Sequence, residues 1–324
     1  MVNFENQVEY VLKTFKMRNV LYYKMAFTRI TLLFQGMNTL RLLKDKNFDS
    51  MRNDALSFIK QCYNSNGGFS SDPTHSPTLF STLAALKTLY ILKSDIYSTN
   101  VLDTKKTLSF IVGLQTNEGG FQNDLFGDVD TRIDCCAIIS MKLLELLNNN
   151  DFSRESLEVP LSQKTLNSFA CNNFLYHILS CQNPDGGFGQ RKGSESHVAQ
   201  AYCCVMALKW INQLDTIDLD ALGIFVSVHQ DPQTGGMSGR INKKPDVCYA
   251  FYALGILKII EQKYNKIWID YDMLKKFILS CEDDDGGFSY RPGNDPDLYH
   301  QLYAIAALAL MNYDGFETIS VCVL

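Results

Sequence analysis

Five times along the chain a polar turn ends in two glycines and a large apolar residue. The segments are CYNSNGGF, LQTNEGGF, CQNPDGGF, HQDPQTGGM and CEDDDGGF, ending at Phe69, Phe121, Phe188, Met237 and Phe288. Their first glycines are Gly67, Gly119, Gly186, Gly235 and Gly286, spaced by 52, 67, 49 and 51 residues. The long step holds the polar stretch NNNDFSRESLEVPLSQKT, which reads as a loop insertion over 148–166. A period near fifty residues is a strong constraint. One such unit cannot bury its own apolar face, so the units must stack on one another.

Each unit reads as two helices. Before each Gly-Gly lies an amphipathic stretch, such as TKKTLSFIVGLQ or YDMLKKFILSC, with apolar residues at helical spacing. After it comes a more uniformly apolar stretch, such as PTLFSTLAALKTLYIL or PDVCYAFYALGILKII. A helix that is apolar all round is a buried one. Inner helices are predicted to begin near 28, 76, 129, 195, 245 and 296, and outer helices near 4, 49, 103, 164, 217 and 270. Six of each point to a closed double ring, an all-α α/α toroid spanning 1–324 as one domain. The alternative is an open superhelical array, against which stands the lack of polar capping repeats at either end. In the ring the inner helices share their N-terminal ends on one face. Polar residues there converge on a central cavity with apolar walls.

Composition narrows the function. A formal charge of −5 gives no electrostatic footprint for a duplex, so nucleic acid is not an expected partner. No apolar run reaches the roughly 18 residues of a membrane span, and MVNFENQVEY lacks the apolar core of a signal peptide. The ten cysteines include two adjacent pairs, Cys135/Cys136 and Cys203/Cys204, and no CxxC. Their apolar helical settings suit reduced thiols and a cytoplasmic location. Cys62, Cys171, Cys181 and Cys281 read as core residues, and His75, His177 and His229 as structural histidines. Cys322, third from the end of the sequence, does not form a prenylation box.

Three inner-helix starts are chemically dense: KGSESHVAQAYCC, GRINKKPDVCYAFY and RPGNDPDLYHQLY. Asp246 and Cys248 are two apart, and i and i+2 do not share a face of a regular helix. They converge only if Asp246 sits at the helix start, a boundary that Pro245 favours. With His300 they would form a three-ligand zinc set with an open fourth position. The competing reading makes Asp246 a cap, Cys248 core and His300 a satisfied buried histidine. Arg240, Lys243 and Lys244 with His197 and Tyr249 would form a cationic cup for phosphate, or a solvated basic loop. Tyr202, Phe251 and Tyr252 are either pocket wall or ordinary core.

Taken together, the GGF repeats, GSESHVAQAYCC, GRINKKPDVCY and DPDLYH resemble the β subunit of the protein prenyltransferases. GDVDTR, the short N-terminus and GSESHVAQAYCC with PDVCY are most similar to the Rab (type II) geranylgeranyltransferase β subunit. The resemblance implies an α/α toroid with bound Zn2+, an isoprenoid diphosphate and an obligate α subunit. It assigns Asp246, Cys248 and His300 as zinc ligands, and His197, Arg240, Lys243 and Tyr249 to the diphosphate. Arg132 falls in the lipid and acceptor cavity, and Cys203 and Tyr252 line the pocket. Thr31 and Leu83 stand where farnesyl-specific relatives carry bulky aromatics, leaving room for a twenty-carbon tail. Burying five more carbons at ~0.8 kcal/mol per methylene could favour the longer lipid by about 4 kcal/mol at most.

The same resemblance implies a catalytic function. The expected reaction transfers geranylgeranyl from geranylgeranyl diphosphate to a C-terminal cysteine of a Rab-type small GTPase, presented by an escort protein. Three departures stand out. Tyr290 replaces an aspartate found in magnesium-using relatives, and a phenol is a poor Mg2+ ligand. Tyr299 before His300 follows the farnesyltransferase pattern, and Cys135 replaces a pocket aromatic. The rival readings are a type I (CaaX) enzyme, a farnesyltransferase and a non-catalytic toroid that binds lipid or an α subunit. A lipid cyclase is a further candidate, but no DxDD acid motif occurs in the sequence.

Overall fold

The structure is a computed structural model that describes residues 2–317 apart from 262 and 265, so Cys322 lies outside the described residues. Helices alternate between two concentric layers. The outer layer is α1 (Phe4–Lys16), α3 (Arg52–Gln61), α5 (Thr104–Val112), α7 (Cys171–Ser180), α9 (Leu219–Ser227) and α11 (Tyr271–Ser280). The inner layer is α2 (Arg29–Leu42), α4 (Leu79–Ile91), α6 (Thr131–Asn148), α8 (Val198–Trp210), α10 (Val247–Ile260) and α12 (Leu298–Leu310). Every predicted inner and outer helix is present. Two outer ones start late, after separate turns at Asn47–Ser50 and Gln163–Leu166. Before α7 the chain breaks because Phe169 turns into the core against Phe121 and Phe174. A two-residue antiparallel pair, β1 (Phe69–Ser70) with β2 (Pro77–Thr78), is the one regular strand pairing among the described residues.

Inner helices pack on their neighbours in chain order, and α12 packs on α2. The layer is therefore a closed ring, not an open array. The Gly-Gly turns lock it. Gly67 has φ +97°, and a Cβ there would overlap the Lys106 carbonyl of the next outer helix, α5. Gly286 has φ +96° and sits in the same way against Asn6 of α1, so the last turn docks on the first helix. The residue after each turn, Phe69, Phe121, Phe188, Met237 or Phe288, is fully buried. Burying such a side chain contributes about 2 kcal/mol.

Local chemistry sets the helix ends. Thr78, Asp130, His197, Asp246 and Asp297 cap inner helices, each accepting a backbone N–H with its side chain. Lys44, Lys93, Asn150, Asn212 and Asn312 adopt left-handed backbone two residues past inner-helix ends. Cys62, Cys181 and Cys281 are buried as expected, whereas Cys171 is only half-buried, because it opens α7 on the outer layer. The histidine expectations hold. His229 Nδ1 pairs with the Phe225 carbonyl at 2.7 Å and His75 Nδ1 with Ser71 Oγ at 2.8 Å. His177 Nε2 lies 3.0 Å from the buried Asp134 carboxylate, whose other oxygen accepts the Phe121 N–H.

The turn geometry yields a test. Gly67→Ala adds both left-handed strain and overlap with a neighbouring helix. It should cost at least about 3 kcal/mol in chemical unfolding. Gly193→Ala adds the strain alone, since φ is +77° and no atom lies within 4 Å of its Cβ position. It should cost about 1 kcal/mol.

Candidate functional site

The N-terminal ends of the inner helices bring the chemistry together. Asp246 precedes α10 with extended backbone, φ −146° and ψ 136°, as the i, i+2 argument required. Its Oδ1 accepts the Cys248 N–H at 3.0 Å. Asp246 is thus a cap and also part of a cluster, so the two readings of it coexist. One donor atom each from Asp246, Cys248 and His300 lies within 4.8 Å of the others. His300 Nε2 is 3.5 Å from Asp246 Oδ1, while its Nδ1 pairs with Asp297 Oδ2 at 2.6 Å. The second contact orients the ring and leaves Nε2 facing the cluster. Carboxylate, thiol and imidazole at this spacing suit a borderline-soft cation such as zinc, with a coordination position left open. Burial and the adjacent Asp246 carboxylate push the Cys248 thiol well above its usual pKa. Without a cation the sulfur is protonated.

Beside the cluster is a cationic rim. His197 caps α8, and its Nδ1 accepts the Ala199 N–H at 3.1 Å. Burial, then Arg240 and Arg132, push its pKa down to about 4. At neutral pH the ring is therefore uncharged, with its one proton on Nε2. Nε2 lies 3.3 Å from the Tyr249 hydroxyl and donates to its oxygen, which sets the two side chains at one spot. Arg240 reaches this spot electrostatically while pairing with Glu195 at 3.2 Å. Arg291, held by the Pro245 carbonyl, acts on Tyr249 too. Lys243 and Lys244 are exposed on the loop and bond no side chain among the described residues. Arg132 is exposed and paired with Asp130, within electrostatic reach of Cys203 and Tyr252.

Below the rim the wall becomes apolar and phenolic. Tyr252 sits in an aromatic cluster with Tyr202 and Phe251. Its hydroxyl meets Tyr299 at 3.2 Å and donates to Tyr303 at 3.0 Å. Cys203 and Leu83 are buried on α8 and α4, and Thr31 is half-buried on α2. Tyr202 and Phe251 are core: both are essentially inaccessible. Sequence reasoning did not assign three positions that the geometry brings in. Asp297 orients His300, Arg291 joins the cationic rim, and Tyr299 contacts Cys248 from the following helix. The signal for the first was present, since Asp297 and His300 are three apart on a helix start.

The fold and the sequence match known proteins. Residues 2–323 match the prenyltransferase alpha-alpha toroid domain. The chain belongs to this family. As a prenyltransferase, it is 33% identical over 310 residues to the geranylgeranyl transferase type-2 subunit beta of Saccharomyces cerevisiae, covering 94% of this chain and 87% of that one. The Candida albicans type-2 subunit beta is 34% identical over 288 residues, covering 85% and 78%. The solved structure of Candida albicans protein geranylgeranyltransferase-I complexed with GGPP superposes with a TM-score of 0.81 at 21% identity, covering 100% of this chain and 95% of that one. The fold also occurs in ent-copalyl diphosphate synthase from Streptomyces platensis, with a TM-score of 0.52 at 14% identity over 87% of this chain and 50% of that one. Toroid architecture alone therefore does not specify a chemistry.

Two outcomes are expected for the cluster. Cation binding must displace the Cys248 proton, so zinc affinity measured by chelator competition should rise about tenfold per pH unit from pH 6 to 8. Asp297→Asn should lower that affinity about 10- to 100-fold by loosening the His300 ring. A flat pH response, or an unaltered affinity in the variant, would remove these three residues from consideration as ligands.

Proposed function

We propose that the chain is the catalytic β subunit of a zinc-dependent protein geranylgeranyltransferase acting on C-terminal cysteines of Rab-type small GTPases. The observation that carries the reading is the juxtaposition of the Asp246, Cys248 and His300 donors with the His197, Tyr249 and Arg240 rim at the mouth of one ring. The type-2 relatives named above support the acceptor class. A zinc ion held by the three donors would lower the pKa of the acceptor thiol and keep it nucleophilic at neutral pH.

The chain's own residues would manage the leaving group. As sulfur bonds to C1 of geranylgeranyl diphosphate, the C1–O bond breaks and charge grows on the departing diphosphate. The neutral His197 donates from Nε2 and Tyr249 from its hydroxyl, while Arg240, Lys243 and Arg291 neutralise the oxygens. Burial, then Cys248 and Asp246, raise the Tyr249 pKa to about 12, so the phenol stays a donor throughout. Arg132, held by Asp130, lies over the chamber entrance, where acceptor and lipid meet. Thr31 and Leu83 leave the wall open to a twenty-carbon tail, with Cys203 and Tyr252 beside it.

Magnesium is not part of this reading. The Tyr290 hydroxyl donates to Asn294 at 2.6 Å, which engages the phenol standing in place of a carboxylate. A single toroid serving as one domain, paired with a prenyltransferase α subunit, completes the proposal. Exposed Val20, Tyr23 and Phe27, and Leu125 with Phe126 at 96% exposure, are apolar surface of the kind a permanent partner covers. No described helix is long and apolar enough to cross a membrane. A cytoplasmic location fits the nine described cysteines, all unpaired.

A type I enzyme is the second reading, favoured by 30% identity to the Arabidopsis thaliana geranylgeranyl transferase type-1 subunit beta over 298 residues. Mass measurement of products separates the two. The heterodimer is given farnesyl or geranylgeranyl diphosphate, and Rab or CaaX acceptors, with and without an escort protein. The expected product is a geranylgeranylated Rab formed only with the escort. Modification of a CaaX peptide without escort would overturn the type II assignment. In the same assay Arg240→Ala should raise the donor KM about tenfold or more.

A further inference from the structure

On the wall of the chamber one amine, that of Lys87, meets an aromatic ring and no hydrogen-bond acceptor among the described residues. Lys87 lies on α4, four residues and one turn beyond Leu83, so about 5–6 Å further from the rim on the same face. It is only 7% exposed. Its Nζ sits 5.3 Å from the Phe34 ring centroid on α2. Cys136, Cys135 and Cys203 act on it electrostatically. Cys203 is on α8, two places round the ring from α4, and side chains of non-adjacent inner helices meet across the interior. The Lys87 amine therefore points into the central space rather than between helices. Helical side chains lean toward the N-terminus, which here is the rim.

Nearer the rim, phenols and thiols pair among themselves. Tyr252, Tyr299 and Tyr303 share hydrogen bonds, and Cys135 bonds to Cys203. Lys87 Nζ has no hydrogen bond and no carboxylate partner among the described residues. Protonated or neutral, an amine keeps donors that hydrocarbon cannot satisfy, and covering it with an apolar chain carries a desolvation cost. Its place below Leu83 puts that cost at the far end of a lipid tail.

We propose that Lys87 is a specificity-determining residue that sets the lower limit of the isoprenoid chamber, by opposing any tail long enough to seal its amine from water. This rests on the lipid-chamber reading above. The limit is one of polarity, not bulk, and the two differ in their consequences. Lys87→Met keeps the length of the side chain and removes the amine. Lys87→Gln keeps a polar end.

The test uses the full chain with its α subunit and compares donors of fifteen, twenty and twenty-five carbons. In Lys87→Met, the ratio of kcat/KM for the twenty-five-carbon donor to that for the twenty-carbon donor should rise about tenfold or more. In Lys87→Gln it should stay within about threefold of wild type. A single unfolding transition, at or above the wild-type temperature, marks Lys87→Met as folded, since the change removes an unpartnered buried amine. An unchanged ratio in Lys87→Met, or an equal rise in Lys87→Gln, overturns the assignment while leaving the prenyltransfer reading intact. A wild-type heterodimer that uses none of the three donors overturns that reading, and this assignment with it.

Discussion

The structure depends on the seating of each Gly-Gly turn against the backbone of the following outer helix. At Gly67 and Gly286 a left-handed backbone and the absence of a side chain let two main chains approach to contact. The next residue then drops into the core between the two layers. Since every unit relies on the unit after it, a linear array would leave its last turn without a seat. Asn6 of α1 provides that seat for Gly286, and the ring closes. Gln7 reinforces the seam, accepting the Gly287 N–H at 3.1 Å and the Gln301 side-chain N–H at 2.8 Å.

Closure gives the helix starts a second use. An N-cap supplies a side-chain acceptor, and it must lie where the chain is not yet helical. In a parallel ring those positions all face one opening. Asp246, His197 and Asp297 each satisfy a backbone N–H and also make a side-chain contact within the site: Asp246 and Asp297 with His300, His197 with Tyr249. The backbone contact fixes the side chain before any ligand arrives. For His197 it also fixes the tautomer, so the requirement of helix initiation determines which nitrogen donates. Preorganisation of this kind costs little, because folding already demands the cap.

The interior below is greasy yet contains many titratable groups. Burial pushes the pKa values of the Cys136, Cys204, Tyr252 and Tyr299 side chains upward, so they remain neutral. Neutral thiols and phenols that bond to one another cost far less to enclose than ions do. The gradient from a charged rim to a neutral wall suits an amphiphile with an anionic head and a hydrocarbon tail. Lys87 departs from that gradient, with an amine that makes no hydrogen bond among the described residues and lies over the Phe34 ring.

Much of this was legible in the residues. The repeat of Gly-Gly turns, with amphipathic and uniformly apolar stretches around it, fixed the number of helices and their layers, because helical periodicity and turn chemistry are local properties. Pro245 and the Asp246–Cys248 spacing correctly located a helix boundary, again a matter of a few residues. What the chain could not reveal alone was convergence. Cys248 and His300 are 52 positions apart, and only the packing of α12 against α10 sets their donors within 4.8 Å of each other. The reach of Arg291 to Tyr249 and the surroundings of the Lys87 amine depend likewise on how neighbouring units pack. Those distances follow from the packing of whole layers, and no short-range pattern encodes them.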